Sequence, residues 1–340
     1  MKTSVDDHTG LEIAGIATCD FQDMTWLDNE TLFREILGRE ESAKLTDFIV
    51  RNIGAEIRYH ARPGKNAIDL GREALKRLLD KHPEALEEAD FIIFAGISSP
   101  RPVTTVSALL ADEFGFRNAG CWDLKSGCSS GVLAMIQAHG HMAHGARGGI
   151  IVCAETLSRF TDPSALQMAA TIGDGAAALW VRRSENWHLT GLVHGTDPRY
   201  SQAMAVRGTF PVDPDTYNPA EYVFSFAQKP EGIKALGERW LGSLKDLMEV
   251  TGLSGTDVTG YIAHQVDATK NARVPAAVNI DASCVAKSFS RYGNMGCPTI
   301  FVNYADWLDQ RETPPGPGDT LILHAVGGGL SWAALSLNLT

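Results

Sequence analysis

The chain has 340 residues, 44% of them hydrophobic, and a formal net charge of -11, so it can bury a large core but lacks the basic stripe that a sequence-independent nucleic-acid binder needs. No run of about 18 or more apolar residues could cross a bilayer, and the amino-terminal MKTSVDDHTG has neither the basic nor the apolar part of an export signal. Its six cysteines (Cys19, Cys121, Cys128, Cys153, Cys284, Cys297) fall in no CxxC or other paired spacing, which argues against a zinc site or a disulfide framework and is read as a reducing cytoplasm. From residue 67, AIDLGREALKRLLD sets Ile68, Leu75, Leu78 and Leu79 at helical spacing and stops at His82 and Pro83. Then follow a buried strand in DFIIFAG (90–96), a helix in VSALLADEF, a strand in AGCWDLK, a helix beginning at Cys128 and a strand in GGIIVCAE (148–155). The theme recurs after a seam near residues 182–191: a helix through EGIKALGERWLGSLKDLMEV, a strand in VTGYIAH, a helix opened by Pro298, and an antiparallel pair around the glycine triplet of HAVGGGLSW. This alternation predicts an α/β layer structure with a largely parallel sheet, divided into residues 1–182 with Cys128 and 183–340 with His264 and Asn294. The aperiodic, proline-rich stretch 197–219 reads as a lid, a channel wall or a plain solvent loop.

Cys128 sits in SGCSSG, at the predicted switch from strand to helix. A thiol attacks as thiolate, and a helix amino terminus favours that anion through its free N–H groups. Gly127 and Gly131 leave room for a substrate carbonyl to approach. Such a nucleophile needs a proton acceptor and donors for a developing oxyanion. His264 ends the apolar strand GYIA and Asn294 precedes a helix in YGNMGCP, although each could equally serve as an ordinary polar residue or cap. Cys, His and Asn in that order also describe papain-like hydrolases, but the CGSCW signature of that family is absent. The histidines of HGHMAH (139–144) are not at i and i+4, which disfavours a metal site.

Five ordered motifs carry a resemblance that runs from about Leu11 to the carboxyl terminus: DFIVRNIGAEIRYH (47–60), IGDGAAALWV (172–181), HQVDATK (264–270), GNM (293–295) and HAVGGGLSW (324–332). On these the sequence resembles the beta-ketoacyl-acyl carrier protein synthase III enzymes of the thiolase superfamily. The resemblance implies a thiolase-like five-layered αβαβα fold of two similar halves, a homodimer, and no cofactor or metal. It implies that Cys128 accepts an acyl group as a thioester, that His264 and Asn294 bind a malonyl-type thioester and stabilise the enolate left by decarboxylation, and that the N–H groups of Cys128 and Gly328 form a second oxyanion hole. The substrate-binding positions depart from the family pattern. Phe48 stands in place of a tryptophan that stacks on coenzyme A and Leu166 in place of its arginine partner, which favours an acyl carrier protein over coenzyme A as donor; Thr269 stands where a basic residue often meets carrier phosphate, which leaves Lys270 and Arg273 as the docking candidates. Val103 falls where the family shapes the floor of the partner subunit's acyl pocket. The region SSPRPVTTVS holds no acid, unlike relatives that join two acyl chains without losing carbon dioxide. Two other readings stay open: an acyltransferase of the same fold that passes the acyl group to an alcohol or amine with His264 as base, and a catalytically silent partner of an active homologue.

Overall fold

The computed structural model describes residues 1–5, 9–38, 43–162, 164–225 and 229–340. Two five-stranded sheets dominate it. In chain order their strands are β1 (Lys2–Ser4), β2 (Glu12–Thr18), β3 (Ala89–Ala95), β4 (Gly120–Leu124), β5 (Gly148–Glu155), β6 (Gly175–Arg182), β7 (Trp187–Thr196), β8 (Gly260–Ala263), β9 (Thr320–Gly327) and β10 (Ser331–Leu339). The first sheet runs β2-β6-β5-β3-β4 and the second β1-β7-β10-β9-β8. The set β2, β6, β5, β3 repeats in β7, β10, β9, β8, because in both the first two pairings are antiparallel and the third is parallel. β1 crosses over to brace the second sheet, with Lys2 opposite Val193.

The sheets are therefore mixed, not largely parallel as the alternation of elements suggested. A parallel pair needs a long crossover, usually through a helix, whereas an antiparallel pair closes through a turn or loop. β9 turns into β10 through Gly328–Leu330, and the segment between β5 and β6 offers only the short helical pieces Leu157–Phe160 and Leu166–Ala169.

Six longer helices fill the layers around the sheets: α1 (Ala67–Lys81), α2 (Val106–Phe114), α3 (Ser130–Ala143), α4 (Lys229–Thr251), α5 (Ala268–Ala276) and α6 (Thr299–Asp309). α1 starts in a capping box, Asn66 Oδ1 accepting from Ile68 N–H and Asp69 Oδ2 from Asn66 N–H, both at 2.9 Å. Its Ile68, Leu75 and Leu78 pack with α2 on the outer face of the first sheet. α4 covers the outer face of the second through Leu244 and Leu247. Between the sheets lie α3 and α6, whose Val132, Met135, Ile300 and Phe301 share one core with strands of both halves. These are the five layers. They also explain the unbroken apolar runs of β3 and β5: Ile150, Val152 and Ala154 face the outer helices, whereas Ile151 and Cys153 face the central layer. The next residue on that inward face is Glu155.

Candidate active site

Cys128 lies in a turn and not on a helix. α3 begins two residues later at Ser130, whose N–H and Oγ both donate to the Gly127 carbonyl at 3.2 and 2.7 Å. Gly127 has φ +59°, in the left-handed region that favours glycine. The small neighbours admit the second half of the chain as closely as they could admit a substrate. A Cβ on Gly127 would sit 2.7 Å from the Gly328 carbonyl oxygen, and one on Gly327 would sit 2.5 Å from the Cys128 nitrogen. Hydroxyls complete the junction, with Ser129 Oγ donating to Ser331 Oγ and Ser331 Oγ to the Ser126 carbonyl, both at 2.8 Å.

Cys128 is nearly enclosed, at 7% exposure. Burial pushes the thiol up to about 12 and the Glu155 carboxylate adds to the rise, while the N–H groups of Gly328 and of Cys128 itself pull the other way. The resting group is consequently the thiol, not the thiolate expected at a helix terminus. With the helix starting later, the charge nearest in effect is negative.

His264 follows β8, where its N–H donates to the His324 carbonyl at 2.8 Å. The ring stacks over Trp240 with centroids 6.4 Å apart and 18° between planes. It is 1% exposed, and among the described residues neither Nδ1 nor Nε2 has a hydrogen-bond partner of good geometry. Burial brings its pKa down to about 4, against a smaller upward pull from the Gly296 backbone. A neutral imidazole with unpartnered nitrogens is a ready donor for a ligand oxygen. Beneath it His324 is fully buried, within 2.8 Å of both Ser243 Oγ and Tyr261 Oη. Ser243 Oγ donates to the Arg239 carbonyl, so it accepts from His324 Nε2–H and the Tyr261 hydroxyl donates to Nδ1. That fixes one neutral tautomer.

Asn294 is held by its backbone to the segment before β6: its N–H donates to the Thr171 carbonyl at 2.7 Å and its carbonyl accepts from Gly173 N–H at 3.0 Å. The side-chain oxygen accepts from Gly296 N–H at 2.9 Å, which leaves the amide nitrogen as the group to donate. Gly296 is the meeting point. Its backbone acts on His264, its N–H binds Asn294, and a Cβ on it would lie 3.3 Å from Glu155 Cγ. Glu155 in turn acts on Cys128 and on the Cys297 thiol, which also feels Cys128. The structure thus gathers Cys128, His264, Asn294 and Gly328 at the seam between the halves.

The remaining sequence candidates lie elsewhere. Phe48 is 54% exposed at the end of a short helix and Val103 is 92% exposed in the loop before α2. Leu166 packs instead into the cluster of Leu27, Phe33 and Phe289. Lys270 is tied to Asp267 at 2.6 Å, and Asp267 also caps α5; Arg273 is exposed. The stretch 197–219 supplies Val206 and Phe210 to a cavity of about 620 Å³ whose other walls include Ile97, Val103 and Leu124. His141 of HGHMAH stacks on Trp122, with ring centroids 4.4 Å apart. Sequence reasoning passed over Glu155 and Ser98. A lone carboxylate ending the otherwise apolar GGIIVCAE was the available signal.

A repeated half-fold thus buries one thiol beneath a glycine turn, at a seam where a neutral imidazole is also buried. The comparisons say which proteins it is similar to. The model for 3-oxoacyl-[acyl-carrier-protein] synthase III matches residues 122–198, and that for its C-terminal part matches 248–339. The beta-ketoacyl-[acyl-carrier-protein] synthase III of Deinococcus deserti is 29% identical over 296 residues, 84% of this chain and 81% of the relative. The crystal structure of the Thermus thermophilus synthase III superimposes with a TM-score of 0.84 at 24% identity, over 96% of this chain and 99% of that one. The priming beta-ketosynthase of the R1128 polyketide pathway gives 0.85 at 19% identity, over 98% of each. Over these spans the chain is similar to the synthase III enzymes, and it is a synthase III-like condensing enzyme of the acyltransferase class.

Proposed function

We propose that Cys128 takes an acyl group from an acyl thioester and condenses it with a malonyl-type thioester by decarboxylative Claisen chemistry. The observation that carries this is His264, buried with both ring nitrogens unpartnered beside a glycine that also fixes Asn294. In the first half-reaction the sulfur–acyl bond forms as the donor thiol departs, taking up the proton that Cys128 loses. The N–H groups of Cys128 and Gly328 stabilise the tetrahedral oxyanion between these states. In the second, the malonyl carboxylate leaves as carbon dioxide and its electron pair forms an enolate whose oxygen accepts from His264 and Asn294. The enolate carbon then attacks the acyl carbon and releases the Cys128 sulfur. A neutral imidazole held down at about 4 suits donation to an enolate and makes a poor general base near pH 7, which favours condensation over transfer to an alcohol or amine.

An acyl carrier protein is the preferred donor, since Phe48 and Leu166 offer no cation and no tryptophan to a coenzyme A adenine. The enzyme is a homodimer of the cytoplasm in this reading. Support for the dimer comes from the open edge of the first sheet at β4, with Trp122 43% exposed, and from Val103 standing almost wholly in water. The free cysteines suit a reducing compartment. Intact-protein mass spectrometry with a panel of acyl thioesters tests the reading: an adduct on the wild type and none on Cys128→Ala is expected, followed by carbon dioxide release when malonyl carrier is added. No adduct with any thioester would overturn it.

A further inference from the structure

Glu155 ends β5 on the face turned toward the central layer, fully buried in a strand whose other residues are apolar. Its two oxygens are clamped by the loop after β3: Ile97 N–H donates to Oε1 at 2.9 Å, Ser98 N–H to Oε2 at 2.8 Å, and Ser98 Oγ also donates to Oε2. Ser98 Oγ accepts from Thr156 N–H at 2.8 Å, so the hydroxyl proton is committed to the carboxylate. On its other side Glu155 supports Gly296, which has φ +72° and would place a Cβ 3.5 Å from Oε1. The titratable groups that face it are the thiols of Cys297 and Cys128, and Cys153 on its own strand faces Cys297. The largest influences on it are burial and hydrogen bonds from Ser98, Ile97 and Cys297, none of them a cation. A buried carboxylate without a cation is costly unless its hydrogen bonds offset the desolvation, so its place against the Asn294 turn and the nucleophile calls for a reason beyond packing.

We propose that Glu155 is a positioning residue for the condensation: clamped by Ile97 and Ser98, it is the wall that holds Gly296, and so Asn294, in register with Cys128, and its charge restrains the thiol from ionising. Acylation of the sulfur removes the group its charge opposes. Both half-reactions are thereby tied to one carboxylate. The inference rests on Cys128 being the acyl acceptor. Burial raises the carboxyl to about 7, which places its titration inside an accessible range.

Alkylation of Cys128 by iodoacetamide, followed by peptide mass spectrometry from pH 6 to 9, tests this without any acyl donor. In the wild type the logarithm of the rate should rise with less than unit slope near neutral pH, because each ionised Glu155 makes the thiol harder to deprotonate. Glu155→Gln should give a straight line of unit slope, and at pH 8 Cys128 should react at least ~3-fold faster than in the wild type, the equivalent of about half a pH unit. Ser98→Ala removes one donor and should move the bend to higher pH, which keeps the test sharp if the glutamine variant folds poorly. Profiles of the same shape in all three proteins would overturn the proposal, since a merely structural role would change amounts of folded protein and not the slope. An alkylation bend in a protein that never forms an acyl adduct would instead sink the reading of Cys128 as acyl acceptor while leaving the charge coupling standing.

Discussion

Acidification should destabilise the protein through a histidine remote from solvent, and His324 is the place to measure it. Burial depresses its pKa to about 3, against about 6.5 in the unfolded chain. Because the folded value lies below the unfolded one, the stability tied to the neutral form is complete above pH 6.5 and is lost as pH falls from there toward 3. At pH 5 the unfolded ring has gained about 1.5 pH units of proton binding that the folded ring has not, which costs about 2 kcal/mol. His264, depressed to about 4 for the same reason, adds about 2 kcal/mol more. Glu155 opposes them. Its carboxyl is raised to about 7 in the fold, so protonation on the way down to pH 5 relieves a buried charge and returns roughly 2 kcal/mol. The wild type should therefore lose about 2 kcal/mol more between pH 7.5 and 5 than His324→Gln, which has one depressed histidine fewer. Urea midpoints read by tryptophan fluorescence at the two pH values give both numbers, and the difference between the proteins cancels groups they share. Equal pH-dependent losses in the two proteins would refute the reasoning.

Three further outcomes are expected. His264→Ala should still form the acyl adduct on Cys128 but lose about 100-fold or more in carbon dioxide release from malonyl carrier, as a preorganised oxyanion donor does; equal losses in both steps would contradict the assignment. Gly327→Ala puts a methyl 2.5 Å from the Cys128 nitrogen, so it should cost about 1–3 kcal/mol in urea unfolding and abolish adduct formation. Trp122→Lys places a charge on the open β4 edge and should shift the protein from dimer to monomer in sedimentation velocity at low micromolar concentration.

The layer class was legible because β3 and β5 are apolar on both faces and bounded by helical periodicity, which only a strand between two helical layers requires. Strand direction was not, since nothing local in VTGYIAH or GGIIVCAE states whether the next connection will cross a helix. Cys128, His264 and Asn294 stood out through their glycine-rich or strand-end settings, and the fold gathers them. The protonation state of Cys128 was misjudged for want of two residues: the helix starts at Ser130, and burial beside Glu155 outweighs the terminal N–H groups. Burial is a sum over distant segments, and no window of sequence contains it. Leu166 shows the same limit, drawn into an apolar cluster with Leu27 and Phe289 from regions far along the chain.

The shared core of α3 and α6 has a consequence for how the enzyme comes into being. A ribosome that has released the chain through β6 has made the sulfur but not the imidazole, the carboxamide or the glycine turn that roofs it. Until β8 to β10 dock, the thiol is an ordinary buried-to-be cysteine with nothing to condense against. On the proposed reading of Cys128 as acyl acceptor, the site is therefore complete only once the second half has closed over it.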